Sequence, residues 1–106
     1  MEHITINGKT YSVASNVMGV TLGLLEACDG KLPEKFGPAE WLVVMTLSIY
    51  WGENLEGRTS DFGADVFCAL PAPEGMQVMK EFQEIYLRQN PQPKEDKKKA
   101  GNPESE

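Results

Sequence analysis

The sequence holds few of the residues that most often perform catalysis or bind metal ions. Its 106 residues include one histidine, His3, and two cysteines, Cys28 and Cys68, which belong to neither a CxxC pair nor a Cys/His cluster. This set cannot form a four-ligand zinc site, and every Ser-His or Cys-His pair would have to use His3. Phosphate-binding patterns of the GxGxxG or GxxxxGK type are missing too. We therefore predict no catalytic residue, no cofactor and no metal, with His3 solvated on a polar strand face.

Long apolar runs and a dense cysteine framework are also missing. The most apolar stretch, residues 41–51, has 9 apolar residues among 11, whereas a bilayer crossing takes about 20. A small secreted scaffold normally carries more than two cysteines, so we expect Cys28 and Cys68 to be buried free thiols rather than a disulfide. The N-terminus enters a strand pattern directly and does not resemble a signal peptide. Together these features predict a cytoplasmic protein.

Positive charge is scarce in most of the chain. The net charge is −6, and residues 1–89 carry 12 acidic and 6 basic side chains, while residues 90–106 are neutral overall. Nucleic-acid binding depends on neutralising phosphates, and an anionic membrane surface likewise attracts basic residues. We therefore predict no nucleic-acid partner and no membrane partner. A basic or apolar protein partner remains compatible with this charge.

The N-terminal residues have the pattern of a β-hairpin. Asn7-Gly8 is a strong signal for a two-residue turn, because both turn residues must adopt positive φ. Such a turn pairs Ile4 with Tyr11 and Ile6 with the residue after the turn, which places the apolar side chains on one face. We predict a hairpin over residues 3–13, and its apolar face must pack on other elements because an isolated hairpin is marginally stable.

Apolar periodicity and helix-ending residues predict three to four helices after the hairpin. Ser15 or Asn16 could cap the first helix, Gly30 would end it, and Gly52 would end the second. Residues 91–106 are rich in proline and charge and should be disordered. The predicted fold class is α+β and mostly helical, with one small domain over residues 1–90. The helices are expected at about residues 16–29, 38–51, 60–70 and 73–89.

Two glycines interrupt the first predicted helix. Gly19 and Gly23 lie on the side opposite its apolar stripe. Each glycine costs roughly 1 kcal/mol relative to alanine. One interpretation is a weak or bent helix, and the other is a flat surface that lets another backbone approach closely.

The acidic residues cluster most densely between the second and third predicted helices. Glu53, Glu56, Asp61 and Asp65 could flank a hydrolytic site or hold a cation. A solvated acidic loop next to a helix N-terminus accounts for them equally well, because negative charge is favoured there. We favour the second interpretation.

The large apolar side chains of the chain still need a role, because no catalytic, metal or membrane function accounts for them. The second helix is apolar on nearly every side, and a chain this small has difficulty burying both of its tryptophans. Aromatic residues and methionine are favoured in the core of protein interfaces, although they also build ordinary hydrophobic cores. The candidate protein-binding residues are Trp41, Met45, Tyr50, Trp51 and Met79.

The layout of the chain resembles a known family. The hairpin Ile-Thr-Ile-Asn-Gly-Lys-Thr-Tyr (residues 4–11), a helix ending at Ala-Cys-Asp-Gly (27–30), further helices and a charged tail are similar to the tail assembly chaperones of long-tailed phages and prophages. The resemblance covers roughly residues 3–90. It implies a small, intracellular, non-enzymatic and often oligomeric protein. It also implies a helical tape-measure protein as the client, around which tail-tube subunits polymerise. No individual functional residue is carried over from the family.

Three functional hypotheses follow from these observations. The first is a non-enzymatic tail assembly chaperone in the bacterial host cytoplasm, a homo-oligomer that binds a protein client. The second is a small intracellular adaptor or anti-defence protein that binds one folded host target. The third is a small enzyme that uses the carboxylates of residues 53–65.

Overall fold

Residues 1–91 form a two-stranded antiparallel hairpin followed by four helices, in agreement with the predicted fold class. These are the residues that the computed structural model describes. The predicted disordered segment 91–106 lies outside them, apart from Pro91. In chain order the elements are β1 (Glu2–Ile6), β2 (Lys9–Val13), α1 (Met18–Ala27), α2 (Pro38–Leu55), α3 (Ala64–Cys68) and α4 (Ala72–Gln89).

The hairpin has the predicted turn and register. Asn7 and Gly8 have φ values of 54° and 81°, as a two-residue turn of this kind requires. Ile4 pairs with Tyr11 and Ile6 with Lys9. The apolar face of the hairpin is buried, so it contributes directly to the core.

One hydrophobic core lies between the hairpin, α1, α2 and α4. Its centre combines aliphatic side chains from the hairpin with those of the middle of α2 and one aromatic ring from α4. The largest fully buried apolar side chains are Phe82, Ile6, Met45, Ile49, Val13 and Val44.

Helix α1 is shorter than predicted and lacks the predicted side-chain cap. Its N-cap residue is Val17, which makes no capping side-chain bond. The Ser15 backbone N–H instead donates to Gln89 Oε1 at 2.8 Å, so this segment is held by the end of α4 rather than by α1. At the other end, Asp29 and Gly30 both have positive φ, which confirms the predicted stop.

The two glycines of α1 receive side chains from α2. A Cβ atom added to Gly19 would overlap the Trp51 indole, and one added to Gly23 would overlap Leu47. The glycines therefore allow close packing of α1 on α2. The approaching groups are side chains, so the alternative of close approach by another backbone does not apply at these positions.

Helix α2 does not stop at Gly52 but continues to Leu55. A Cβ atom at Gly52 would overlap the carbonyl group of Ser12, so the glycine lets α2 lie directly on the β2 backbone. The helix ends one turn later, before Gly57, whose φ is 81°. Gly52 was predicted to end the helix, and its actual role is to bring two elements together.

The bounds of the last two helices, α3 and α4, also differ from the predicted ones. Helix α3 spans Ala64–Cys68 and is shorter than the predicted 60–70, because residues 60–63 lack helical structure. Helix α4 begins one residue before the predicted 73, and its C-terminal end is tied to the hairpin by Gln89 Nε2, which donates to the Val13 carbonyl at 2.9 Å.

The two cysteines are free thiols, as predicted. Cys28 is half-buried, but Cys68 is exposed, so the prediction that both are buried is wrong. Cys68 is the last residue of the short helix α3, which has no buried residue.

Candidate protein-binding site

An apolar groove opens between the first half of α2, helix α3 and the first half of α4. Its volume is about 820 Å³. Among its lining side chains, polar groups are limited to the Gln83 amide, the Cys68 thiol and the indole N–H of Trp41. We call this surface the apolar groove. It is lined by Phe36, Pro38, Ala39, Trp41, Leu42, Phe67, Cys68, Leu70, Ala72, Gly75, Met76, Met79 and Gln83.

Trp41 anchors a cluster of aromatic rings beside the groove. Its ring lies 5.1 Å from that of Phe36 and 5.3 Å from that of Tyr86, both in edge-to-face geometry. Phe82 adds a third edge contact at 6.2 Å and is itself fully buried. Edge-to-face pairs are favourable and fix ring orientation. Trp41 is half-buried, so it presents part of a rigid aromatic surface to the groove.

Two methionines of α4 complete the groove. Met79 is half-buried against the core, whereas the Met76 side chain is 74% exposed. Methionine is flexible and polarisable, so it adapts to irregular apolar surfaces. Two of the five predicted residues, Trp41 and Met79, are thus brought together in one groove, and the structure adds Met76.

Tyr50 and Trp51 lie on a different surface. Nine residues separate Trp41 from Tyr50, which is two and a half helical turns, so the two side chains project from opposite sides of α2. Tyr50 is 46% exposed and contacts the Trp51 ring edge-on at 5.3 Å. Trp51 packs on Gly19 of α1. These two residues do not contribute to the apolar groove.

Met45 is a core residue. Its exposed fraction is 0%, so within the described residues it has no surface to offer a partner. It belongs to the buried hydrophobic cluster that also contains the apolar residues of the hairpin and of α4. As an exposed binding residue, Met45 was predicted wrongly.

A buried carboxylate joins α2 to β2 on the side away from the groove. The side chain of Glu53 is 4% exposed and accepts hydrogen bonds from the Ser12 backbone N–H at 2.8 Å and from Arg58 at 3.0 and 3.1 Å. Arg58 also donates to the Ser12 hydroxyl at 2.8 Å. The Arg58 guanidinium, followed by the Ser12 N–H, holds the pKa of Glu53 below its usual value of 4.5, outweighing burial. This arrangement holds α2 against β2 and is not a reactive site, because both carboxylate oxygens of Glu53 already accept hydrogen bonds from Ser12 or Arg58. We call these contacts of Glu53, Arg58 and Ser12 the polar lock.

The other predicted acidic residues do not join Glu53. Asp61 accepts hydrogen bonds from the Lys9 ammonium and, at 3.0 Å, from the Tyr11 hydroxyl. Burial and this Asp61 contact raise the pKa of Tyr11 to about 12. Glu56 is 40% exposed and lies 3.9 Å from Arg58. Glu53 and Glu56 thus share Arg58, whereas Asp61 has the different partners Lys9 and Tyr11. This favours the interpretation of a solvated acidic segment in which Glu53 alone is buried.

The described part of the chain was also searched for metal-binding clusters and for membrane-spanning helices. No group of three or more His, Cys, Asp or Glu residues there is arranged to hold a metal ion. None of its helices combines the length and apolar character needed to cross a membrane.

The apolar groove was predicted from the sequence only in part. The predicted binding residues did not include Met76, Phe67 and Leu70. In the sequence, a loop or another helix separates each of them from Trp41. The alternation of proline with apolar residues at 70–73 marks where α3 and α4 meet, and that junction forms one wall of the groove.

A comparison of the chain with protein-family models, with curated proteins and with solved structures found no significant match.

Proposed function

We propose that this protein is a non-enzymatic assembly chaperone that binds an amphipathic helix of its client in the apolar groove. The client that the family resemblance suggests is the tape-measure protein of a phage or prophage tail. The observation that carries the proposal is an open apolar groove of about 820 Å³ lined by an aromatic anchor and two methionines.

The chemistry of the groove favours a protein surface over a small polar substrate. Sites for small molecules usually contain a few convergent polar groups that fix orientation. Here the side chains that could do so are limited to the Gln83 amide, the Cys68 thiol and the indole N–H of Trp41, in a lining that is otherwise apolar. A helix that places apolar residues at positions i, i+3, i+4 and i+7 needs only an apolar groove of adaptable shape.

The charge of the chain adds to this preference. Residues 1–89 carry twice as many acidic as basic side chains. Complementary charge speeds association and disfavours wrong partners. A client helix with basic residues beside its apolar stripe is therefore the best match. A long helical client with many such segments would be covered by many copies, each bound weakly.

The test uses the tape-measure protein encoded in the same genome, co-expressed with this chain. We expect the two proteins to purify together. The Met76→Glu variant should bind at least tenfold more weakly, because burying a methionine contributes about 1.5–3 kcal/mol and a tenfold change is about 1.4 kcal/mol. Met76 is largely exposed, so the substitution should leave the fold intact.

The matched control is Leu22→Glu. Leu22 is 56% exposed on α1, outside the groove, and the variant introduces the same charge. It should bind like the unmodified protein. Equal loss in both variants would place the contact elsewhere, and failure of the unmodified protein to bind would remove the tape-measure protein as the client.

Cysteine alkylation provides a second, independent measurement of client binding in the groove. Cys68 lines the groove and is exposed, whereas Cys28 lies outside the groove. Client binding should slow maleimide modification of Cys68 and leave that of Cys28 unchanged. Protection of neither thiol would argue against occupancy of the groove.

A further inference from the structure

A second, smaller cavity lies between α1, the loop that leads into α2, and the second half of α4. Its volume is about 120 Å³, and we call it the small cavity. Val20, Leu24 and Val44 form apolar walls, and Leu32, which also lines it, is exposed, so solvent reaches the cavity. An engineered protein cavity of roughly 150 Å³ binds benzene, so a space of this size has room for one six-membered ring.

Two hydroxyl groups in the wall of the small cavity lack a protein partner. They belong to Thr21 and Tyr86, which are both half-buried. The Thr46 hydroxyl of α2, by contrast, donates to the Leu42 carbonyl one turn earlier, at 2.9 Å. Within residues 1–91, neither Thr21 nor Tyr86 uses its hydroxyl in a hydrogen bond. Burial raises the pKa of Tyr86, so its hydroxyl is partly removed from water without a bond in exchange.

These features favour a ring that carries a hydroxyl as the ligand of the small cavity. A specific pocket usually combines apolar walls with a few convergent polar groups. Water could bond to the two hydroxyls, but it would leave the aliphatic walls without an apolar partner. A phenolic ring covers those walls, and its hydroxyl can both donate and accept a hydrogen bond.

The small cavity continues the line of the apolar groove along α4. Met79 and Gln83 line the groove, and Tyr86 lines the small cavity. These residues occupy positions i, i+4 and i+7 of one helix, so they share a face. Seven residues separate Met79 from Tyr86, which is about 10.5 Å along the helix axis. The two spaces are therefore neighbours on one surface of α4.

The wall between the two spaces is one aromatic side chain. Phe36 lines both of them, and its ring contacts those of Trp41 at 5.1 Å and Tyr86 at 5.8 Å. Within the described part of the chain, the backbone of residues 32–36 makes no hydrogen bond. Displacement of Phe36 would therefore join the two spaces without breaking a backbone bond of this loop.

We propose that the small cavity binds one tyrosine side chain of the client helix, seven residues along from the apolar side chain that contacts Met79. This proposal rests on the proposed function, since the client helix must lie in the apolar groove. A helix alongside α4 places its residues i and i+7 on one face, about 10.5 Å apart, which matches the spacing of the two spaces. Thr21 and Tyr86 would then determine specificity, because their hydroxyls distinguish tyrosine from purely apolar side chains.

The first experiment tests the small cavity without a client. Phenol and benzene are titrated into the unmodified protein, and binding is followed by NMR. Both should shift the amide signals of Thr21 and Leu32, which line the cavity. Phenol should bind about fivefold more tightly than benzene, which is the effect of one net hydrogen bond.

Matched double variants test whether the two hydroxyls cause this preference. Thr21→Val with Tyr86→Phe removes both hydroxyls, keeps the shape of the side chains and breaks no hydrogen bond within residues 1–91. This variant should bind phenol and benzene equally. Thr46→Val with Tyr50→Phe makes the same chemical changes outside the small cavity and should keep the preference for phenol.

The second experiment measures the binding of synthetic amphipathic helices of about 20 residues, because much shorter helices are marginal in water. Each peptide has leucine at positions i, i+3 and i+4, basic residues beside this stripe, and tyrosine, phenylalanine or alanine at position i+7. The tyrosine peptide should bind about tenfold more tightly than the alanine peptide, because an aromatic ring is buried. The phenylalanine peptide should lie between them. The variant Thr21→Val with Tyr86→Phe should bind the tyrosine and phenylalanine peptides equally.

The outcomes separate this proposal from the proposed function. Equal binding of the tyrosine and alanine peptides, with both weakened by Met76→Glu, would refute the tyrosine pocket and support the groove as a helix-binding site. Binding of phenol without any preference for the tyrosine peptide would identify a site for a free small phenol instead. Failure of every peptide to bind would count against the proposed function and the tyrosine pocket together. Absence of phenol binding would refute the small cavity as a site for a ring.

Discussion

Replacing Glu53 by glutamine tests whether the lock between α2 and β2 stabilises the fold. The variant keeps the shape of the side chain, and its amide oxygen can still accept the hydrogen bond from the Ser12 N–H. It loses the negative charge that two donors of Arg58 share, and it turns an amide N–H₂ group towards one of them. The perturbation therefore removes the ion pair without creating a cavity.

The expected cost follows from the contacts. Hydrogen bonds to a charged group contribute about 1.5–3 kcal/mol each when the partners are buried. Arg58 is half-exposed, so water replaces part of what it loses. We expect Glu53→Gln to lower the free energy of unfolding by about 2 kcal/mol, which corresponds to a fall of about 10 °C in Tm for a domain of this size.

Thermal and urea unfolding followed by circular dichroism measure this effect, and Glu56→Gln is the matched control. Glu56 also lies near Arg58, at 3.9 Å, but its side chain is 40% exposed. An exposed pair of this kind contributes less than about 1 kcal/mol. If Glu53→Gln costs no more than Glu56→Gln, the reasoning about the buried carboxylate is wrong.

The pH dependence provides an independent check on the sign. The pKa of Glu53 lies below its usual value of 4.5 in the folded protein. A carboxyl with a lowered pKa stabilises the fold above its unfolded pKa, and this contribution disappears as the pH falls through the folded pKa. The stability gap between the unmodified protein and Glu53→Gln should therefore be widest near pH 7 and close below about pH 4.5. Other carboxylates titrate in both proteins and cancel in the difference, so a gap independent of pH would refute the assignment.

Two further predictions concern the packing of α2 and the hairpin. Gly52→Ala should destabilise the protein by about 2 kcal/mol in urea unfolding despite the better helix propensity of alanine, because the β2 backbone cannot move away. Gly19→Ala should cost at least about 1 kcal/mol less, since the Trp51 indole can rotate, and equal costs would contradict this distinction. The pKa of Tyr11 is raised to about 12, so the fold should lose stability as the pH rises from 10 through 12. Tyr11→Phe should flatten that loss in unfolding experiments at alkaline pH, whereas an unchanged slope would exclude the titration of Tyr11 as its cause.

Local signals in the sequence predict the hairpin well and the packing of α2 poorly. Asn7-Gly8 restricts the backbone directly, so the turn and the whole register follow from it. In the sequence, Gly52 is compatible either with the end of a helix or with close approach of another element to the helix. Only the position of β2 in the fold decides between these two roles. Tertiary contacts across 41 residues, such as the bond from Ser12 to Glu53, leave no periodic pattern.

The candidate site was predicted in part for a related reason. A helix that is apolar on nearly every side hides which of its faces is covered, so sequence alone could not separate Met45 from Trp41. The structure distinguishes them because it shows which face of α2 lies on β2. That face carries small or buried polar residues, namely Ser48, Gly52 and Glu53. Once these define one face, the large side chains on the remaining faces are assigned by helical geometry.

The division of faces on α2 explains how a small domain keeps large apolar side chains partly exposed. The contact with β2 relies on backbone approach at Gly52 and on the buried Glu53 carboxylate, and these do not consume large apolar side chains. Hydrophobic burial is thereby concentrated in the middle of α2, around Met45. Trp41 at one end of the helix and Tyr50 near the other retain exposed surface, which a self-contained core would otherwise have to cover. The polar lock and the apolar groove are thus two consequences of the same arrangement, and loosening the lock should disturb the groove through the position of α2.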